Sequence, residues 1–228
     1  MDAVDINPVD ISSVQTLINS PISAFPGAGV HLRGQGSGIP GPPRIIIIDN
    51  DGHLWQRDPG ENPISINDLG ELTGIPSGHS ITGMEVVSGP GAAAIYGIST
   101  NGTNQTLLVT ISPDDMTVTV IGNNNGLVLP IALGRDANQN LITADIDDDN
   151  LYQLDKITGA ATLIGSLGYD ANFGQAIFFD EFSQKLVNLA YDATIGDSMM
   201  RYLDPLTGAS TYMGQIQPGT VQQFGWGS

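Results

Sequence analysis

From residue 44 onward the chain alternates short apolar runs with clusters of Gly, Asp, Asn and Thr. ITGMEVVSG (81–89), LVLPIALGRD (127–136), FGQAIFFDEF (173–182) and TVQQFGWGS (220–228) each contain an apolar run that starts or ends near glycine. A second run follows the first three, AAAIYGIST (92–100), NLITADI (140–146) and KLVNLAY (185–191), and RIIIID (44–49) has the corresponding place in an earlier unit. Runs this short, bounded by turn residues and rich in β-branched side chains, predict strands rather than helices.

After these runs comes a hairpin that repeats. Leu151 to Gly165, LYQLDKITGAATLIG, and Arg201 to Gly214, RYLDPLTGASTYMG, each hold a strand ending in Asp, an x-x-Thr-Gly turn, and a β-branched strand closing on Gly. LLVTISPDDMTVTVIG keeps the register with Ser112, and HLWQRDPGENPISIND keeps it with Asp58. The register positions 58, 112, 155 and 204 are spaced by 54, 43 and 49 residues. A period of this size with four short strands per unit predicts an all-β fold, a β-propeller of four blades with four antiparallel strands each. A β-sandwich in which the Thr-Gly pairs are only hairpin turns is the alternative; the repeat of strand order and register favours the propeller. The first unit lacks an innermost strand and the chain ends with one to spare. TVQQFGWG is therefore expected to close the ring by pairing beside residues 44–49, hiding a sheet edge.

The motif LYQLDKITGAATLIG resembles the blades of bacterial secreted or surface β-propeller proteins carrying L-Y-x-L-D-x-x-T-G-x-A-T-L-I-G. The resemblance is closest at Leu151–Gly165, good at Tyr202–Gly214, and covers roughly the last three quarters of the chain. It implies architecture and says little of activity, since such propellers include lectins, adhesins, scaffolds and some enzymes. Looser resemblance to quinoprotein-type propellers implies a tryptophan ladder, but Trp55 and Trp226 are the only tryptophans, which argues against a quinone cofactor.

Residues 1–43 read differently. SPISAFPGAGVHLRGQGSGIPGPP (20–43) is dominated by Gly, Pro and Ser, which oppose helix and central strand alike. The division expected is an N-terminal arm or assembly segment over 1–43 and a propeller over 44–228. Val14, Leu17 and Ile18 have helical spacing within DISSVQTLINS, a short apolar patch for a protein partner or for self-assembly.

Charge narrows the partners. Of 228 residues, 7 are Lys or Arg and 24 are Asp or Glu, a net charge of −17. Such a surface repels phosphate backbones and anionic lipid, so no nucleic-acid binding is expected. No window reaches 18 apolar residues, so no membrane insertion is expected either. The first twenty residues carry acids and a proline where a signal peptide needs a basic start and an apolar core. The chain has no cysteine, hence no disulfide framework or thiolate site. Two lysines and abundant Thr, Asn and Gly match an extracellular, cell-surface or virion location.

Candidate chemistry is sparse. The loops between second and third strands are rich in oxygen, above all DIDDDN (145–150), where Asp145, Asp147, Asp148 and Asp149 crowd together as candidate Ca2+ ligands. The competing reading is a solvated turn whose Asp and Asn satisfy turn geometry. His31, His53 and His79 share no metal-binding spacing, and no G-x-S-x-G elbow is present. Glu85 and Glu181, near the ends of innermost strands, are the only glutamates placed to work beside a central channel. Asn101 and Asn104 open Asn-x-Thr sequons. No catalytic residue stands out. The function expected is a non-enzymatic structural, adhesion or receptor-binding module attached through its arm. A lectin-like propeller that binds a surface glycan, with calcium's help, is the alternative, and a polysaccharide hydrolase or lyase the third.

Overall fold

The computed structural model describes residues 26–32, 44–57, 66–88 and 93–216. They form sixteen strands in four four-stranded sheets, and there is no helix among the described residues. Blade 1 contains β1 (Pro26–Leu32), β2 (Arg44–Asp49), β3 (His53–Arg57) and β4 (Ile66–Glu71). Blade 2 contains β5 (Ser80–Val87), β6 (Ala94–Thr100), β7 (Thr106–Ser112) and β8 (Thr117–Ile121). Blade 3 is β9 (Pro130–Arg135), β10 (Leu141–Asp145), β11 (Asn150–Leu154) and β12 (Ala161–Ser166). Blade 4 is β13 (Ala171–Asp180), β14 (Lys185–Asp192), β15 (Asp197–Leu203) and β16 (Ser210–Gln215). Within each sheet sequential strands pair antiparallel, giving a four-bladed propeller with β1, β5, β9 and β13 innermost.

The expected start of the propeller is corrected. Pro26–Leu32, inside the segment read as an arm, is the innermost strand of blade 1, with Val30 opposite Ile46 and Leu32 opposite Arg44. Strand β2 is thereby paired on both edges, by β1 and by β3, so the C-terminal run cannot pair beside residues 44–49. Residues 217–228 and the helical patch near residue 14 lie outside the described residues. The Gly and Pro content misled because the innermost strands crowd. Ala28 and Gly29 meet Gly83, Ala132 and Gln175 about the axis in a crevice too narrow to admit water. A Cβ added at Gly83 would lie 2.3 Å from the Leu133 nitrogen, so small residues are what the axis requires.

The core lies between blades. Val30, Leu32 and Ile46 pack with Met84, Ile95 and Val109 of blade 2. Ile98 and Leu108 pack with Leu133 and Leu141 of blade 3, and Ile142 and Leu151 with Ile177 and Leu203 of blade 4. The repeat motif has a mechanical meaning at these junctions. The glycines closing the hairpins of blades 2 and 3 face the Thr-Gly turn of the following blade: a Cβ on Gly122 would stand 1.7 Å from the Thr158 carbonyl oxygen, and one on Gly165 2.1 Å from that of Thr207. Blade 1 docks with backbone bonds instead, Val118 N–H donating to Thr73 at 2.7 Å.

This up-and-down order gives the ring two unlike ends. The loop end carries the blade connections and the loops between second and third strands. The turn end carries the first-to-second and third-to-fourth turns.

Candidate functional site: the turn end and its groove

At the loop end the acids hold the chain in place. Asp49, Asp145 and Asp192 close the second strands of blades 1, 3 and 4, each almost wholly buried. Asp49 accepts from Asp51 N–H, His53 N–H and the Trp55 indole at 2.8–3.0 Å. Asp145 accepts from Val128, Leu129 and Asp147 N–H at 2.8–3.0 Å. Buried carboxylates satisfied by backbone donors fix loop geometry. The other three candidate calcium ligands go separate ways. Asp147 is exposed; Asp148 accepts from Asn150 N–H and the Tyr152 hydroxyl; Asp149, at φ 56°, accepts from Ala171 N–H at 2.8 Å. Burial pushes the Asp149 pKa up, and burial with the Asp148 contact pushes Tyr152 up to about 12. Among the described residues no three His, Asp or Glu side chains gather where they could hold a metal.

The histidines are structural in their surroundings. His79, nearly buried, has Nδ1 2.9 Å from the Ser99 hydroxyl and Nε2 3.2 Å from Gln105 Oε1. Ser99 is fully buried, with no room for a substrate at its hydroxyl. His53 stacks on Trp55 beside Asp68, and the side chain of His31 lies outside the described residues. Asn101 accepts from Thr103, Asn104 and Gln105 N–H, which makes the first Asn-x-Thr sequence a tight turn.

Two networks were not anticipated. Arg201, buried, donates to Asp192 at 2.6 Å and lies 4.2 Å from the Tyr169 ring centroid; the Tyr169 hydroxyl donates to Asn188 Oδ1 at 2.6 Å and lies 3.0 Å from Gln175 Oε1. Burial holds the Tyr169 hydroxyl far above its ordinary range. The second network joins the two glutamates. Glu181 receives a 2.7 Å bond from Arg135, whose Nε lies 3.9 Å from the fully buried Glu85, while the guanidinium sits 5.8 Å over Phe179. Sequence reasoning placed both glutamates near the axis; the structure puts a guanidinium against both. Paired carboxylates for glycoside cleavage need a sugar and often a water between them, and an arginine ties these two into blade packing.

What faces solvent at the turn end is of another kind. The turns Asp155–Gly159 and Asp204–Gly208 are built alike, with Gly159 N–H donating to Asp155 and Gly208 N–H to Asp204. Bonds from Thr158 and Ile157 amides hold the Asp155 pKa down, and those from Leu206 and Thr207 do the same for Asp204. Asp180 is lowered mainly by the Ser183 hydroxyl. The tips of these three turns carry large apolar side chains, Ile157 at 86%, Leu206 at 86% and Phe182 at 83% exposure. Between blades 3 and 4, lined in part by residues of the turns that carry Phe182 and Leu206, lies an open groove of about 480 Å³. Its lining combines Phe179, Leu203 and Pro205 with Asn138, Gln184 and Lys185. Both lysines of the chain are on turn-end segments, and the loop-end acids have no lysine among them. A signal in the sequence existed: an apolar residue at the third position of both Thr-Gly turns, where the turn itself needs none.

No protein-family model and no curated protein matches the sequence. Solved structures do. A structural-genomics protein of unknown function from Bacteroides thetaiotaomicron aligns with TM-score 0.56 at 15% identity, over 89% of this chain and 48% of its own. The nidogen/laminin complex aligns with TM-score 0.53 at 11% identity, over 74% and 60%. A luciferin-regenerating enzyme aligns with TM-score 0.52 at 9% identity, over 82% and 61%. The chain thus spans about half to three fifths of the length of these structures. The likeness is one of β-propeller fold, shared by proteins of varied function.

Proposed function

We propose that this chain is a non-enzymatic, surface-displayed recognition module, a structural, adhesion or receptor-binding propeller that engages its partner through the turn end. The observation carrying this reading is the contrast between the two sets of side chains. The buried acids and the histidine that could do chemistry are bonded into loops, whereas Ile157, Phe182 and Leu206 are presented to solvent on turns of the same end, where an open groove is lined by Gln184 and Pro205 from the turns that carry Phe182 and Leu206. Exposed apolar clusters of this sort mark interaction surfaces. Attachment to a larger particle or cell surface would run through the residues ahead of Pro26, since β1 belongs to blade 1.

The test pairs binding with turnover. Labelled protein should be retained on fixed bacterial and epithelial cells, and Ile157→Ser/Leu206→Ser should lose retention while melting at the wild-type temperature, because both side chains are exposed. A parallel screen on lactones, polysaccharides and phosphate esters should show no turnover. Catalysis on any of these, or retention untouched by the double substitution, overturns the reading.

A further inference from the structure

We infer that the groove between blades 3 and 4 binds a neutral, hydroxyl-rich saccharide, one or two units of a surface glycan. The inference rests on the reading of the protein as a recognition module and names the chemistry of its partner. A volume of about 480 Å³ lies within the range of small-ligand sites. Two chemistries meet in its lining. Tyr202 and Pro205, both partly exposed, supply aromatic and apolar surface, which suits the C–H face of a sugar ring. Asn138 and Gln184 bring side-chain amides, each a donor and an acceptor at once, and a sugar hydroxyl is likewise both.

Charge argues for neutrality. Lys185 and Asp204 both line the groove, and the lysine helps keep the Asp204 pKa low. The other lining acid, Asp136, is bonded to Asn138 and Asn140 N–H and to the Asn140 amide of its own turn. One lysine against two carboxylates, in a chain of net charge −17, disfavours an anionic ligand. An extended peptide would need a free strand edge to pair with, and this groove is walled largely by turns and strand ends. Phe182, exposed at the tip of the turn that supplies Gln184, extends the aromatic surface beyond the groove for a second sugar unit.

The experiment is a glycan array followed by saturation-transfer NMR and titration with maltotriose, cellotriose and lacto-N-tetraose, using sialyllactose as charged comparator. At least one neutral glycan should bind. Its Kd should rise about tenfold or more in Tyr202→Ala and in Gln184→Ala, and stay within about threefold in Tyr202→Phe, which keeps the ring. Ile195→Ser, at the loop end, is the unaffected control, and all variants are compared at wild-type melting temperature. A silent array, binding indifferent to Tyr202→Ala and Gln184→Ala, or preference for the sialylated glycan overturns the inference. If the array is silent while Ile157→Ser/Leu206→Ser still abolishes cell retention, the recognition reading stands and the saccharide falls. If retention is also unaffected, both fall.

Discussion

Leu32 decides whether residues ahead of 44 belong to the propeller. Its side chain is 1% exposed and sits in the core shared by blades 1 and 2, beside Val30 at 0%. Truncation to alanine removes three buried carbons and leaves a cavity walled by strands that cannot close over it. A buried Leu→Ala change costs about 2–5 kcal/mol. For a chain of this length each kcal/mol lowers Tm by about 2–4 °C, so Leu32→Ala should melt roughly 4–20 °C below wild type. Circular dichroism or calorimetry reads this directly. Deleting residues 1–32 should prevent cooperative folding by stripping β2 of its inner neighbour. If Leu32→Ala melts like wild type, or the 1–32 deletion folds, the segment is an arm after all and the assignment of β1 is wrong.

Other outcomes follow from the same geometry. Gly165→Ala should destabilise by about 1–3 kcal/mol, because its Cβ would meet the Thr207 carbonyl oxygen at 2.1 Å; an unchanged Tm would refute turn-to-glycine docking between blades 3 and 4. Asp155, Asp180 and Asp204 have pKa values lowered from 3.8, so their contribution is complete above the unfolded value and is lost as pH falls through the folded ones. Asp149, raised by burial, works in the opposite direction. Thermal melts from pH 5 to pH 2 should fall, and Asp180→Asn/Asp204→Asn should flatten that limb; a parallel slope would count against the assignment. Calcium and then chelator should leave Tm unchanged, since Asp145 and Asp149 accept from backbone amides and Asp148 from Tyr152. A calcium-dependent rise abolished by Asp147→Asn/Asp149→Asn would restore a metal site there.

The legibility of this chain follows the range of the forces involved. The hairpins could be read because an Asp-x-x-Thr-Gly turn is held by bonds within five residues, as at Asp155 and Asp204. Strand β1 could not, because the reason for its Ala28 and Gly29 lies on β5 and β9, in crowding at the axis. The aspartates of the 145–150 loop looked like ligands because alternate acids suit calcium and backbone amides equally, and only the fold reveals that Val128, Leu129 and Ala171 supply those amides. Arg135 was invisible for a similar reason: its carboxylate partners come from blades 2 and 4, and nothing near it in sequence announces them.

Where the repeat is kept and where it is broken are therefore different kinds of information. Asp155 and Asp204, Thr158 and Thr207, Gly165 and its neighbour turn are kept because docking one blade on the next requires them. The third turn position is under no such demand, and blade 2 puts Asp114 there, which pairs with Arg44. Blades 3 and 4 instead place Ile157 and Leu206 there, each 86% exposed, where burial gives no return and solvation is unfavourable. The fold gains nothing from two such side chains, and this favours the turn end over the acid-rich loops as the face through which the proposed partner would bind.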